Sequence, residues 1–219
     1  MDVFITVPHA FCPDADVRLC DLRAREAAAA LLDALKDLAM PFVNVRSFAA
    51  QTLREDGDLN REEMRRWPWR VAIQDAIEAS RMARRKVVLF DMHSFPDDAE
   101  NFRKRADETR GPKVVLLDQW EQTTSGRVKW LHRDMVPRVE EESGVRVRII
   151  GSGFENDITR QANRPLPGVD DASDADVMLW EFNEDATRLS AAEIKRVAGA
   201  LANYVAGKSR LPATEINKQ

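Results

Sequence analysis

Lys86-Val87-Val88-Leu89-Phe90-Asp91-Met92-His93-Ser94-Phe95-Pro96 is a short, continuous apolar run, β-branched at its start, that stops abruptly on Asp-Met-His-Ser. Such a run suits a strand buried on both faces of a parallel sheet. Residues just beyond the carboxyl end of a strand of this kind face the crevice where open α/β sheets bind ligands. His93 therefore stands where a catalytic or metal-binding group is useful. The competing reading is a histidine that caps a strand end by bonding to backbone.

Outward from this strand, apolar runs alternate with helical patterns almost throughout, the mark of an α/β sheet. The patterns predict a strand at Val3–Val7 and a helix at Asp21–Ala39 with Leu22, Leu31, Leu32, Leu35 and Leu38 on its apolar face. A strand at Phe42–Phe48 follows Pro41, and a helix runs from near Trp69 to Arg84 after a polar loop around Asp56-Gly57-Asp58. Beyond His93 come a polar helix at Asp97–Thr109, a strand at Lys113–Leu117 after Gly111-Pro112, and a helix at Leu131–Glu142 ended by Gly144. His132 on that helix reads as a surface residue. Strands at Val145–Ile150 and Val177–Phe182 precede a last helix from Ser190, whose Ser-Ala-Ala-Glu start forms a capping box with Glu193. The expected fold is a three-layer, mostly parallel mixed sheet with helices on both faces. Residues 1–208 read as a single domain and 209–219 as a flexible tail.

Composition narrows the function classes. Among 219 residues the net charge of −4 comes from well-mixed acids and bases, which gives no nucleic-acid footprint. The clusters Arg81–Lys86 and Arg103–Arg105 read as solvated helix faces. Apolar runs fall far short of the roughly 20 residues a membrane span requires, and the amino terminus enters a strand without a basic leader. A cytoplasmic location is the expectation, and with it reduced thiols at Cys12 and Cys20.

Pro8-His9 ends the first strand much as His93 ends the third, which puts two of only three histidines on one rim of the sheet. Neutral imidazoles there suit zinc, which also takes a carboxylate and, in catalytic sites, keeps a position for water. Asp21, at the start of the first long helix, is the leading third ligand, with Glu26, Asp14, Asp16 and Cys12 as alternatives. A plain helix cap is the rival role for Asp21. Glu181 lies among large apolar residues on a strand expected to be buried, where desolvation raises a carboxyl pKa toward the range of a general base. The rival reading has it emerging into solvent with Asn183-Glu184-Asp185. Asn60-Arg61, in Asp58-Leu59-Asn60-Arg61, has the donors to hold a carboxylate.

Pro8-His9, Asp21-Leu22-Arg23-Ala24, Asp58-Leu59-Asn60-Arg61, Asp91-Met92-His93-Ser94-Phe95-Pro96 and Trp180-Glu181-Phe182 together resemble the N-formylglutamate amidohydrolase family, in order and over about the first 185 residues. That family is similar in fold to the zinc carboxypeptidases. The resemblance implies one zinc ion per chain on His9 and His93, with Asp21 as third ligand. It also implies Asn60 and Arg61 as carboxylate holders and Glu181 as general base. On this reading Arg46, at the end of the second strand, would stabilise the oxyanion, and Arg160, after Gly151-Ser152-Gly153, would take the distal carboxylate of a glutamate-like substrate. The chain departs from the family in Ala10-Phe11 after the first histidine and lacks the carboxypeptidase His-x-x-Glu, since Cys12 stands at that place. Three functions are therefore carried forward: an amidohydrolase for a small N-acylated amino acid, a peptidase or cell-wall amidase using the same zinc, and a binding domain that has lost catalysis.

Overall fold

A computed structural model of the chain describes residues 1–11, 20–51, 58–106, 110–118, 126–151, 156–162, 164, 166 and 175–210. Its strands are β1 (Asp2–Val7), β2 (Asn44–Ala49), β3 (Val87–Phe95), β4 (Val114–Asp118), β5 (Val147–Gly151) and β6 (Ala175–Asn183). Its helices are α1 (Leu22–Asp37), α2 (Pro68–Met82), α3 (Glu100–Ala106), α4 (Gly126–Ser143), α5 (Asp157–Ala162) and α6 (Ala191–Arg210), with a 3-10 turn at Glu62–Arg66. The strands form one sheet in the order β2-β1-β3-β6-β4-β5. All neighbouring pairs are parallel except β4 with β6. This is the mixed, mostly parallel sheet the pattern predicts.

The period of two in the strands sorts the core into two layers. Val3, Ile5 and Val7 of β1, Val88, Phe90 and Met92 of β3, and Met178, Trp180 and Phe182 of β6 face α1, α4 and α6. Phe4, Val87, Leu89 and Val177 face Ile73 and Ile77 of α2 and Ile158 of α5 on the other side. Full burial of each such aliphatic or aromatic side chain stabilises the fold by roughly 1.5–3 kcal/mol, so the packing of β1, β3 and β6 against helices on both faces anchors the sheet.

Several sequence expectations need correction. The buried face of α1 is Ala24, Ala27, Ala28, Leu31 and Leu35, while Leu22 and Leu38 are exposed. Small alanines let the helix lie close on the sheet, and leucines at the ends of the row fall outside that contact. Arg81, read as solvated, is buried and donates through one guanidinium nitrogen to the carbonyls of Ala162 and Arg164. Cys20 is disulfide-bonded rather than a free thiol, and the other cysteine of the chain, Cys12, lies outside the described residues. The last helix runs through Arg210, past the expected boundary at 208. Side chains of the first two turns of α4, His132 among them, lie outside the described residues. No described helix is long and apolar enough to cross a membrane.

Candidate metal centre

The register of β3 creates the site. β1 pairs with β3 only as far as Thr6 with Asp91, while β3 continues beside β6 to Phe95 opposite Asn183. His93 thus lies inside the strand, not beyond its end as the sequence suggests, but on the part that projects past β1. The chain leaving β1 brings His9 against it, with ring centroids 5.6 Å apart at an edge-to-face angle of 70°. A backbone bond from Asp21 N–H to the His9 carbonyl, 3.0 Å, ties the head of α1 to the chain leaving β1 and sets Asp21 beside both rings.

Asp21 Oδ2 is 3.2 Å from His9 Nδ1 and 3.3 Å from His93 Nδ1, and all three groups are buried. Two donors held ~2.1 Å from one ion at tetrahedral angles stand about 3.4 Å apart. The two distances from Asp21 match that spacing, and one ligand atom from each of the three residues lies within 4.8 Å of the others. The opposite ring nitrogens are also held: His9 Nε2 is 3.0 Å from Asp58 Oδ1, and His93 Nε2 is 3.1 Å from Asp91 Oδ2. Asn156, at the start of α5, donates to the same Asp91 oxygen at 2.7 Å. Thr6 Oγ1 bonds the other, and so fixes the carboxylate. Carboxylates behind metal-bound histidines fix the tautomer and raise ligand basicity.

Charge makes a second test of fit. Each ring has a carboxylate oxygen at both nitrogens, so donating on both sides requires two imidazolium ions side by side. Burial pushes the His9 and His93 pKa values down, but Asp21 and Asp58 outweigh this at His9 and Asp91, Asp21 and Glu181 outweigh it at His93, which is held well above the usual histidine range. Burial likewise pushes Asp21 up, and the two histidines more than reverse it. One divalent cation in place of the two Nδ1 protons carries the same charge. Among the described residues this is the group of histidine and carboxylate side chains able to hold a metal.

A raised histidine pKa contributes stability that is present below the unfolded value of about 6.5 and lost as pH rises through the folded value. A metal must displace those protons, so its affinity is expected to increase with pH by up to about tenfold per unit for each proton released. Cobalt titrations at several pH values between 6 and 8 check this, and a flat profile would count against histidine ligation.

Glu181 is the register partner of His93 on β6. Burial pushes its carboxyl up to about 8, with Asp21 and Asp91 adding to the shift and His93 and His9 opposing it. Its surface remains partly open although atoms crowd round it. Of the loop residues, Asp58 also accepts from Asn60 N–H at 3.1 Å and from Arg61 Nε at 3.2 Å, which ties the whole tetrapeptide to His9. The Arg61 side chain is 45% exposed, and the buried Asn60 Oδ1 accepts no hydrogen bond among the described residues.

A buried strut supports that loop. Arg70 of α2 donates to the Leu59 carbonyl at 2.6 Å and to Asp157 Oδ2 at 2.8 Å. Burial pushes the Asp157 carboxyl up, yet Arg65 and Arg70 bring it down to about 2. Arg160 lies one turn along α5, half-exposed, with Asp157 at 3.1 Å and Glu62 at 3.9 Å. It sits on the same loop-supporting cluster, one turn from Asn156. Arg46 is not brought to the rim. It pairs with Phe4 midway along the edge strand β2, and its guanidinium lies 5.9 Å from the Phe4 ring centre. Glu26 is turned to Arg23, and Asp14, Asp16 and Cys12 lie outside the described residues.

The residues that sequence reasoning missed are Asp91, Asp58, Asn156 and Arg70. Asp91 had a local signal, since i and i+2 share a strand face. The others reach the site across 49 or more residues of chain, or across a neighbouring helix.

Solved structures share this fold. Gene product Atu2144 of Agrobacterium tumefaciens superposes with a TM-score of 0.64 at 17% identity, over 99% of this chain and 92% of that one. The N-formylglutamate amidohydrolase of Ralstonia eutropha JMP134 gives 0.61 at 17% identity, over 94% of each chain. A metallo-carboxypeptidase of Burkholderia cenocepacia gives 0.56 at 15% identity, over 96% of this chain and 57% of that one. No family model and no curated protein sequence matches the chain. The architecture is therefore one that an amidohydrolase and a metallo-carboxypeptidase also use.

Proposed function

We propose that the chain is a zinc-dependent amidohydrolase that cleaves the amide bond of a small N-acylated, N-formylglutamate-like amino acid. The observation that carries the reading is the convergence of His9 Nδ1, His93 Nδ1 and Asp21 Oδ2, with a carboxylate behind each ring. Two imidazoles and a carboxylate are a donor set that zinc takes in hydrolytic sites. One ion per chain there would polarise a bound carbonyl and acidify a water molecule.

The chain's own groups supply the rest. Glu181 takes the proton from the attacking water and passes it to the leaving amine, a task that suits a carboxyl whose pKa is raised by burial. The Asn60 amide and the Arg61 guanidinium receive the α-carboxylate of the amino acid, and so hold the scissile bond in register with Glu181. Arg160 is the candidate for a distal carboxylate. Arg46 is withdrawn as oxyanion donor because it lies midway along the edge strand β2, away from the carboxyl ends of the strands.

Residues 1–208 form one metallohydrolase domain in this reading, acting on a small molecule and not on nucleic acid or membrane. Its cytoplasmic location would expose the Cys20 disulfide to a reducing thiol pool. A peptidase reading keeps the same centre and has a metallo-carboxypeptidase among the fold neighbours, of whose length this chain spans 57%. A screen of N-formyl amino acids, N-acetyl amino acids and dipeptides with metal-loaded protein tests the proposal: turnover of N-formyl acidic amino acids supports it, and turnover of dipeptides alone contradicts it.

Arg61→Ala is expected to weaken substrates with a free α-carboxylate by roughly 1.5 to 3 kcal/mol, as for loss of a hydrogen bond to a charged group, and to leave their α-amides nearly unaffected. Comparing kcat/KM for acid and amide checks this. Equal losses on both would remove Arg61 from the clamp.

A further inference from the structure

Asp21 stands at the N-cap of α1, yet its side chain caps nothing. Aspartate in that position ordinarily accepts from the N–H of the second or third helical residue. Here the N–H of Arg23, the second residue of α1, is taken instead by Glu184 Oε1 at 3.2 Å. The same oxygen accepts the Ser94 hydroxyl, and Ser94 is the residue after His93 on β3. Glu184 itself is anchored by a bond from its backbone N–H to the Phe95 carbonyl, 2.9 Å. One carboxylate therefore joins the head of α1 to the strand that carries His93.

We propose that Glu184 is a positioning residue: it caps α1 in place of Asp21, and so leaves the Asp21 carboxylate free to face His9 and His93. With Oδ2 set between the two rings, the Asp21 carboxylate makes no bond to the head of its own helix. The helix head still needs an acceptor, because its first N–H groups have no partner within the helix. Glu184 supplies that acceptor from a different strand end, and Ser94 orients it. The significance of this for metal binding rests on the reading of Asp21 as a ligand; the conformational claim does not.

The test compares Glu184→Ala, Glu184→Gln and wild type by crystal structure without metal, by melting temperature without metal, and by cobalt affinity and visible absorption. In Glu184→Ala the Asp21 carboxylate is expected to swing back onto the Arg23 or Ala24 N–H. That substitute cap keeps the metal-free melting temperature near wild type, while cobalt affinity falls by roughly 10- to 100-fold, the usual cost of losing a supporting group at a metal site. Glu184→Gln keeps a carbonyl oxygen for the Arg23 N–H and is expected to restore both the Asp21 position and the affinity. An Asp21 carboxylate that stays on the histidines in Glu184→Ala overturns the proposal, as does a Glu184→Gln variant whose Asp21 moves. Wild-type protein that binds no cobalt would contradict the metallohydrolase reading instead, and the Asp21 position would still decide the role of Glu184.

Discussion

Glu181→Gln is expected to retain the metal and to lose roughly 100- to 10,000-fold in kcat/KM, the range over which a positioned acid-base group contributes. The substitution keeps shape and removes the ability to accept a proton. Glu181 lies beside His93 in register, and its carboxyl is pushed up to about 8 chiefly because burial strips it of water. The amide cannot ionise, so above the pKa of about 8, where wild type must bury a charge, the variant should be no less stable than wild type. Steady-state kinetics and metal content measured on one preparation check the expectation. Loss of metal along with activity would make Glu181 a ligand, and full activity would remove it from the chemistry.

Arg70→Ala is expected to destabilise the fold by about 3 kcal/mol, the lower end of the range for breaking a buried ion pair. Arg70 is 2% exposed and bridges the Leu59 carbonyl, Asp157 and Gln161. Arg65 keeps its two bonds to Asp157, which limits the loss. The damage should concentrate on the loop that carries Asp58, so protein that still folds is expected to bind metal more weakly. Urea denaturation with and without metal measures both effects. A change below about 1 kcal/mol, the level of an exposed pair, would show that the strut is dispensable. Asp157 adds a pH signature: its lowered pKa contributes stability present above the unfolded value near 3.9 and lost as pH falls toward 2.

The sequence made the sheet readable because buried parallel strands leave long apolar runs. Val87 to Phe90 and Val177 to Trp180 are such runs, and both form central strands. The structure brings His9, Asp21 and His93 together because His9 follows β1, His93 lies on the adjacent β3 and Asp21 precedes the helix between β1 and β2. Arg46 was misplaced for a physical reason. Nothing local sets the register of β2 on β1, and the pairing of Arg46 with Phe4 leaves it three residues short of the strand's end at Ala49. The antiparallel β4 and the bond between Arg23 and Glu184, 161 residues apart, are long-range outcomes with no periodic trace. Asp21 could be read equally as cap or ligand, and nothing local in the sequence signals that Glu184, rather than Asp21, accepts the Arg23 N–H.

Metal content of the purified protein tests the central claim most directly. By plasma mass spectrometry, wild type is expected to carry about one zinc per chain in the mode of a three-ligand catalytic site, and His93→Ala, with His9→Ala beside it, is expected to carry almost none while remaining folded. Wild-type protein with no stoichiometric divalent metal after zinc reconstitution, or a His93→Ala variant that keeps its zinc, would contradict the account.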